Sequence, residues 1–373
     1  MTVDLVAGTR PNFMKIAPVR RALVARKIPV RLIHTGQHFD AGMSDVFFRD
    51  LGMPAPDVNL GCGGGSHAEQ TASVLVAMER ELLVHRPEAI VVVGDVTSTL
   101  SAGLAAAKLG VPVVHVEAGL RSRDWTMPEE INRILTDQLS DLLLVPSDDG
   151  RENLIAEGIP AERIAFVGNV MIDSLHHALE RRTDVLERLG LQPGGYCAVT
   201  MHRPANVDSR ESFQATLAVL RALGSRIPTV FPVHPRTAAR AEAFGLAEEL
   251  RAVPGLVQTG PVGYDDFVTL MGSSKFVATD SGGIQEETTA LQIPCLTLRG
   301  GTERPITVSL GTNTIVGLDV AKILAEVDAI LAGRAKRGSL PEGWDGHAGE
   351  RVAEAIARLL EGTPPPRTAG PRA

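Results

Sequence analysis

The sequence predicts an α/β protein made of two Rossmann-like, doubly wound domains, and three observations carry that prediction. Short runs rich in Val, Ile and Leu alternate with stretches of helical periodicity, as buried parallel strands and their crossover helices do. The alternation starts twice, once at Val3 and again near Tyr196, in a chain of 373 residues where about 150 residues make a domain. Nearly every apolar run also ends in polar or glycine-rich residues, and open α/β sheets bind ligands outside those strand ends.

In the first series the predicted strands are Val3 to Ala7, Val30 to His34, Ala89 to Val93, Val111 to Val116 and Leu142 to Val145. Predicted helices at Lys15 to Arg26, Ala68 to Leu83, Ser98 to Lys108 and Glu130 to Leu139 separate them. The second series has strands at Cys197 to Thr200, Thr229 to Pro232, Phe276 to Thr279 and Cys295 to Leu298. An amphipathic stretch, Ile172 to Leu189, is the expected linker helix, and the glycine run 61 to 65 reads as a flexible connector. The expected domains are 1–170, joined by a C-terminal helix 348–362, and 171–347. Residues 363–373, dense in Pro, Gly and Arg, read as a flexible tail.

Composition removes several classes. With 37 Lys plus Arg against 44 Asp plus Glu the formal charge is −7, so the basic surface that holds nucleic acid is not expected. No apolar run reaches the roughly 18 residues of a membrane span. Cys62, Cys197 and Cys295 lie far apart without metal-ligand spacing, which argues against a disulfide framework and a structural zinc site and suits the reducing cytoplasm. The N-terminus reads as a strand, with no charged and apolar leader pattern, so no export signal is expected. GxGxxG after the first strand, a Walker loop and HExxH are all missing, which withdraws support from nicotinamide, P-loop and zinc-protease chemistry.

The strand ends carry the candidate chemistry. Arg10 follows the first strand, Lys15 lies about a turn later and Arg304 sits in Thr302-Glu303-Arg304-Pro305, three cations that suit a diphosphate or, singly, a solvated surface. In Asp280 to Glu287 a strand ends, Gly282 and Gly283 allow close backbone approach, and a helix begins whose free N–H groups favour an anion. An ordinary N-cap reads the same way. Glu287 is placed either to reach ribose hydroxyls or as a helix-face charge. Asp95 and Glu117, at strand ends, are candidate acids or bases. Glu129 shares that reading with a capping role in Thr126-Met127-Pro128-Glu129. His202 and His234 each follow a strand and suit either phosphate contact and proton donation or a structural role.

Taken together, Gly8-Thr9-Arg10-Pro11 with Lys15, Thr35-Gly36-Gln37-His38, Gly94-Asp95, His115-Val116-Glu117-Ala118-Gly119-Leu120-Arg121, Pro128-Glu129-Glu130 with Asn132-Arg133, Gly168-Asn169, His202-Arg203, Pro232-Val233-His234, Asp280 to Glu287, Thr302 to Pro305 and Trp344-Asp345-Gly346 resemble the non-hydrolysing UDP-N-acetylglucosamine 2-epimerases, in order across nearly the whole chain. The resemblance implies a glycosyltransferase-B type fold with UDP in the interdomain cleft, a homodimer, and no metal or nicotinamide cofactor. It implies UDP contacts at Arg10, Lys15, His202, Phe267, Ser281, Gly282, Gly283, Glu287 and Arg304. Phe267, otherwise readable as a core aromatic, would lie by the uracil. Asp95, Glu117 and Glu129 would be acid/base groups that also contact the sugar, and His202 would assist the departing diphosphate.

The implied reaction interconverts UDP-GlcNAc and UDP-ManNAc. UDP leaves C1 while a base takes the C2 proton, and re-addition to the bound 2-acetamidoglucal with protonation on the other face gives the epimer. Many members carry HRREN, whereas this chain has His202-Arg203-Pro204-Ala205-Asn206. That stretch borders a regulatory UDP-GlcNAc site in the family, so substrate activation is expected to be weakened here despite family-like Gln37, Gln70 and His234. The same change leaves room for a modified UDP-sugar. The competing readings are a glycosyltransferase of the same fold, a hydrolysing epimerase and a nucleotide-sugar sensor without turnover.

Overall fold

A computed structural model describes residues 2–36, 48, 51–181 and 183–362. The chain folds as two units, one built from the chain up to Ser174 and again from Glu342, the other from Leu175–Pro341. Both are doubly wound.

The first unit holds an all-parallel sheet of β1 (Val3–Ala7), β2 (Val30–His34), β3 (Val58–Asn59), β4 (Ala89–Val93), β5 (Val113–Val116), β6 (Leu142–Val145) and β7 (Ile164–Phe166), in the order β3-β2-β1-β4-β5-β6-β7. The order reverses between β1 and β4, which opens a crevice at their carboxyl ends. One face of the sheet packs Phe13, Ile16 and Leu23 of the helix Arg10–Ala25 with Val352 and Ile356 of the final helix, Ala348–Glu361. The other face packs Met78 and Leu82 of the helix His67–Val84 with Ala102 and Ala105 of the helix Thr97–Lys108. β4 reads Ala-Ile-Val-Val-Val with every residue buried, because both of its faces are covered.

The second unit repeats the scheme with β8 (Cys197–Thr200), β9 (Thr229–Pro232), β10 (Leu256–Thr259), β11 (Phe276–Thr279), β12 (Cys295–Thr297) and β13 (Asn313–Ile315), in the order β10-β9-β8-β11-β12-β13. Here the switch lies between β8 and β11. Phe213, Leu217 and Leu220 pack with Ile323 and Val327 in the core.

Several boundaries differ from the sequence expectation. The first long helix starts at Arg10 rather than Lys15, because Pro11 is suited to a first turn and Asn12 accepts from the Thr9 N–H to close the N-terminus. β5 starts at Val113, one residue after Pro112, instead of Val111. The expected helix Ile172 to Leu189 is two pieces, Val170–Leu179 and the single turn Val185–Arg188. Its first half belongs to the first unit: Asp173 accepts from the Ala348 and Gly349 N–H groups at 3.1 and 2.7 Å, and the Ser174 hydroxyl donates to the Met14 carbonyl. Trp344, fully buried, donates its indole N–H to the Pro146 carbonyl at 3.1 Å. The glycine run is tied at one end, where the Cys62 N–H donates to the Thr35 carbonyl. The tail 363–373 lies outside the described residues.

Candidate active site

In the first unit the crevice between β1 and β4 is lined from the helix Arg10–Ala25. Asn12 donates to the Val93 carbonyl at 3.0 Å, linking that helix to the end of β4. One turn on, Lys15 is buried and its ammonium forms an ion pair with Glu117, just past the end of β5. Glu117 has φ +70°, a left-handed conformation that costs a non-glycine residue on the order of 1–3 kcal/mol and gathers at functional sites. Gly94, at φ +68°, turns the chain out of β4, and a Cβ there would lie 3.3 Å from both the Glu117 carboxylate and the Lys15 nitrogen. Asp95 follows and accepts from Arg133 at 2.8 Å, while Asn132 donates to the Asp95 carbonyl at 2.9 Å. Arg10 is exposed at the start of its helix.

Arg133 and Asn132 belong to the helix Pro128–Leu139, whose second residue is Glu129. The capping reading of Glu129 does not hold. Met127 is the N-cap residue, no side chain caps this helix, and the Thr126 hydroxyl donates to Asp124 instead. Half-buried Glu129 is therefore left for another role. Its neighbour Glu130 is the structural one, buried, paired with Arg133 and accepting from the Ser122 and Arg123 N–H groups at 2.9 and 2.7 Å. Arg133 thus ties the start of this helix to Asp95. Asp95, Glu117 and Lys15 are brought together around Gly94, with Glu129 on the helix tethered to them.

In the second unit the β8/β11 switch is organised by Asp280, wholly buried just past β11. One carboxylate oxygen accepts from the His202 N–H, the Arg203 N–H (both 2.9 Å) and the Asn206 amide (3.0 Å), and the other faces His202 Nδ1 at 3.2 Å. Burial lowers the pKa of His202; Asp280 opposes that shift, and the charges of Arg203 and Arg236 add to it. His234 stands beside it, with ring centroids 5.2 Å apart, and caps the helix Pro235–Ala243 by accepting from the Arg236 N–H.

Ser281 is the N-cap residue of the helix Gly282–Ala290, and its N–H is turned to the Thr279 hydroxyl. Gly282 leaves room for Arg304: a Cβ there would sit 2.5 Å from the guanidinium, which would have to shift. Arg304 pairs with Glu286 at 2.9 Å and Glu303 at 2.7 Å. Burial pushes the Glu303 carboxyl up, but Arg304, Arg299 and Arg203 outweigh it and hold the pKa at about 2. Ser281, Gly282, Gly283 and Arg304 therefore meet at one helix start, a favourable place for an anion.

Glu287, one turn in, accepts from the Tyr264 hydroxyl at 2.7 Å, and burial, reinforced by Glu286, raises its pKa to about 7 despite that bond. Its ordinary value is 4.5, so the native carboxyl stays protonated through a range where the unfolded one has ionised. Stability is unaffected below about 4.5, falls as the pH rises from there to about 7, and stays lower above it. Glu287→Gln should therefore be more stable than the parent at pH 8, by on the order of 3 kcal/mol, and nearly equal at pH 4.5. Equal melting shifts for the two proteins between these pH values would refute this.

Phe267 is half-buried on the helix Tyr264–Gly272, which also supplies Tyr264. Gln70 is half-buried in the helix His67–Val84, in the other unit from His234, and Gln37 lies outside the described residues. Among the described residues no group of three His, Cys, Asp or Glu side chains is gathered to hold a metal ion, and no helix is long and apolar enough to cross a membrane.

Sequence reading assigned no individual role to the groups that hold this site: Arg133, Glu130, Asn206, Tyr264, Glu286 and Glu303. One signal was available for the helix Pro128–Leu139. Glu130, Arg133, Thr136 and Asp137 repeat at helical spacing, so a polar stripe faces inward where an apolar one is the rule.

Two Rossmann-type sheets, each with charged groups gathered at its switch point, define an α/β protein of the nucleotide-binding class. The family model described as UDP-N-acetylglucosamine 2-epimerase matches residues 21–357. A UDP-N-acetylglucosamine 2-epimerase of Methanocaldococcus jannaschii is 38% identical over 365 residues, spanning 95% of this chain and 99% of the relative. A UDP-2,3-diacetamido-2,3-dideoxy-D-glucuronate 2-epimerase of Pseudomonas aeruginosa is 39% identical over 365 residues, 96% of this chain and 100% of the relative. The crystal structure of the Methanocaldococcus jannaschii enzyme in complex with UDP-GlcNAc and UDP superposes with a TM-score of 0.89 at 38% identity, covering 96% of this chain and 100% of that one. This chain belongs to the UDP-N-acetylglucosamine 2-epimerase family.

Proposed function

We propose that the protein reversibly epimerises C2 of UDP-GlcNAc to UDP-ManNAc without hydrolysis, supplying activated ManNAc for cell-surface polysaccharide. The observation that carries this reading, within the family, is the group of carboxylates at the ends of β4 and β5 and the start of the helix Pro128–Leu139, with Glu117 held in a strained conformation against Lys15. That C2–H has no adjacent carbonyl to make it acidic, so the reaction needs a good leaving group and a positioned base. One carboxylate of Asp95, Glu117 and Glu129 takes the C2 proton as the C1–O bond breaks, and the C–H electrons form the C1–C2 double bond. UDP departs with the C1–O bond pair, assisted by His202. A second carboxylate delivers a proton to the opposite face when UDP adds back.

The diphosphate is bound by Arg10, Lys15, His202, Arg304, the Ser281 hydroxyl and the N–H groups of Gly282 and Gly283, which stabilise the charge as it develops. Glu287 takes the ribose and Phe267 lies by the uracil. No metal or nicotinamide takes part. The active form is a homodimer in the cytoplasm, where the free thiols of Cys62, Cys197 and Cys295 stay reduced.

Proton NMR of the protein with UDP-GlcNAc in deuterium oxide tests this. UDP-ManNAc carrying deuterium at C2, with deuterium appearing in the UDP-GlcNAc pool, is the expected result. Free ManNAc would instead indicate a hydrolysing epimerase, and release of UDP only with an acceptor a glycosyltransferase. Similarity to the diacetamidoglucuronate epimerase supports a second substrate reading, and turnover of that sugar alone would establish it. The same assay addresses regulation. Arg203 is turned towards Glu303 at 3.4 Å and Asn206 towards Asp280, so a regulatory site formed with Gln37, Gln70 and His234 is expected to act weakly. UDP-ManNAc should turn over without added UDP-GlcNAc. A sigmoidal rate curve with an absolute requirement for UDP-GlcNAc would overturn this.

A further inference from the structure

We propose that the buried pair His115–Asp137 is a positioning device that sets the turns carrying Asp95 and Glu117, an inference that rests on the epimerase reading. Both side chains are wholly buried. His115 lies on β5, two residues before Glu117, and its Nε2 is 2.9 Å from the carbonyl of Gly94, the residue before Asp95. A carbonyl only accepts, so Nε2 carries a proton and donates it. The other ring nitrogen faces Asp137 Oδ1 at 2.7 Å, which fixes the ring plane.

Asp137 does more than orient the ring. Its second oxygen accepts from the Gly119 N–H at 3.2 Å and from Arg121 at 2.7 Å, so one carboxylate fixes the chain just beyond Glu117 as well. It projects from the same helix as Arg133, the partner of Asp95. The pair therefore holds Asp95 through the Gly94 carbonyl and Glu117 from the residues flanking it.

A satisfied core histidine would explain burial and hydrogen bonding alone. Two features point further. Burying an ionisable pair gives little stability over apolar residues of the same volume, and among the described residues the side-chain bonds this pair makes outside itself, apart from that to Arg121, go to backbone of the two turns. The turns also touch, since the position a Cβ would take on Gly94 is 3.3 Å from the Glu117 carboxylate. A shift of the Gly94 carbonyl would displace Asp95 and disturb the Lys15–Glu117 pair together. Misplacement by about 1 Å costs on the order of 10²-fold in rate.

Asparagine and glutamine separate the two functions of the ring. His115→Asn places an amide near Nδ1, keeping the Asp137 contact and losing the Gly94 one; His115→Gln places it near Nε2 and does the reverse. The experiment measures kcat and KM in the UDP-GlcNAc epimerisation assay, UDP affinity by calorimetry, and melting temperature. His115→Asn should lose about 10²-fold in kcat with KM and UDP affinity within about twofold, and His115→Gln should recover at least a tenth of parental kcat despite an equal or lower melting temperature. As a further variant, Asp137→Asn should lower kcat about 10-fold with UDP affinity unchanged.

Equal kcat for the two His115 variants, or kcat that simply follows melting temperature across the set, would overturn the positioning role. If His115→Asn does not fold, unchanged kcat in Asp137→Asn overturns it. A parent protein that turns over neither UDP-GlcNAc nor the diacetamidoglucuronate sugar would instead overturn the epimerase reading, and the positioning role with it.

Discussion

Asp95→Asn and Glu117→Gln should each lower turnover of UDP-GlcNAc by about 10²–10⁴-fold, the range expected for a lost acid or base, while UDP affinity changes by no more than a few fold. The affinity is expected to survive because most proposed UDP contacts are on the second unit: the start of the helix Gly282–Ala290, Arg304, Glu287 and His202. Both substitutions keep side-chain size and one acceptor oxygen, so Arg133 and Lys15 retain a partner. Loss should fall on kcat rather than KM, as for interactions made only in the transition state. Deuterium exchange at C2 should fall in parallel. Variants that melt early yet turn over at near-parental rates would show that these carboxylates are structural.

Asp280→Ala should destabilise the second unit by about 3–5 kcal/mol, the cost of removing one partner from a buried charged network. Three donors converge on a single oxygen of Asp280, and among the described residues only the Asn206 amide has a second acceptor, the Leu298 carbonyl at 3.1 Å. His202 loses its fixed main chain at the same time, so the protein that remains folded should bind UDP weakly. Asp280→Asn preserves an acceptor and should recover part of the stability but not the contact to His202 Nδ1. Denaturant unfolding followed by far-ultraviolet circular dichroism reads the first effect and calorimetry the second. A loss below about 1 kcal/mol in Asp280→Ala, the worth of an ordinary hydrogen bond, would refute the network account.

The central strands were legible because both faces of each are covered, and a sequence such as Ala-Ile-Val-Val-Val at β4 has no other simple reading. The edge strands were not. β3 is two residues long, and β7 and β10 are only half-buried along their whole length, so neither an apolar run nor strict alternation marks them. β13, at the other edge of the second sheet, carries Asn313 in a wholly buried position, bonded to the Thr297 hydroxyl. A polar residue there argues against a strand until its partner is known.

Legibility of the site divides in the same way. Residues expected to face a ligand stand at strand ends, where position alone makes a charge conspicuous: Arg10, Asp95, Glu117, His202 and the Asp280 to Glu287 stretch. Residues that hold them do so through partners far away in sequence. Asp280 serves backbone N–H groups 78 and 77 residues earlier, and Arg133 reaches back 38 residues to Asp95. No local pattern encodes such pairings. Glu129 and Glu130 show the limit most directly, since two adjacent glutamates in one helical turn have different surroundings, and only the fold shows that Glu130 is the one consumed by structure.

The helix Ala348–Glu361 returns to cover Phe13 and Ile16, and Gly349 lies so close to Pro18 that any side chain would collide with it. The second unit is thus an insertion in the first. A ribosome delivers β1 more than three hundred residues before the segment that closes over it, so one apolar face of the amino-terminal sheet, with the helix Arg10–Ala25 on it, stays only partly covered for most of synthesis. The inserted unit, contiguous in sequence, can complete itself first. Order of manufacture and order of completion therefore run in opposite directions in this chain, and a ribosome that stops before Ala348 releases a polypeptide whose later half is finished and whose earlier half is not.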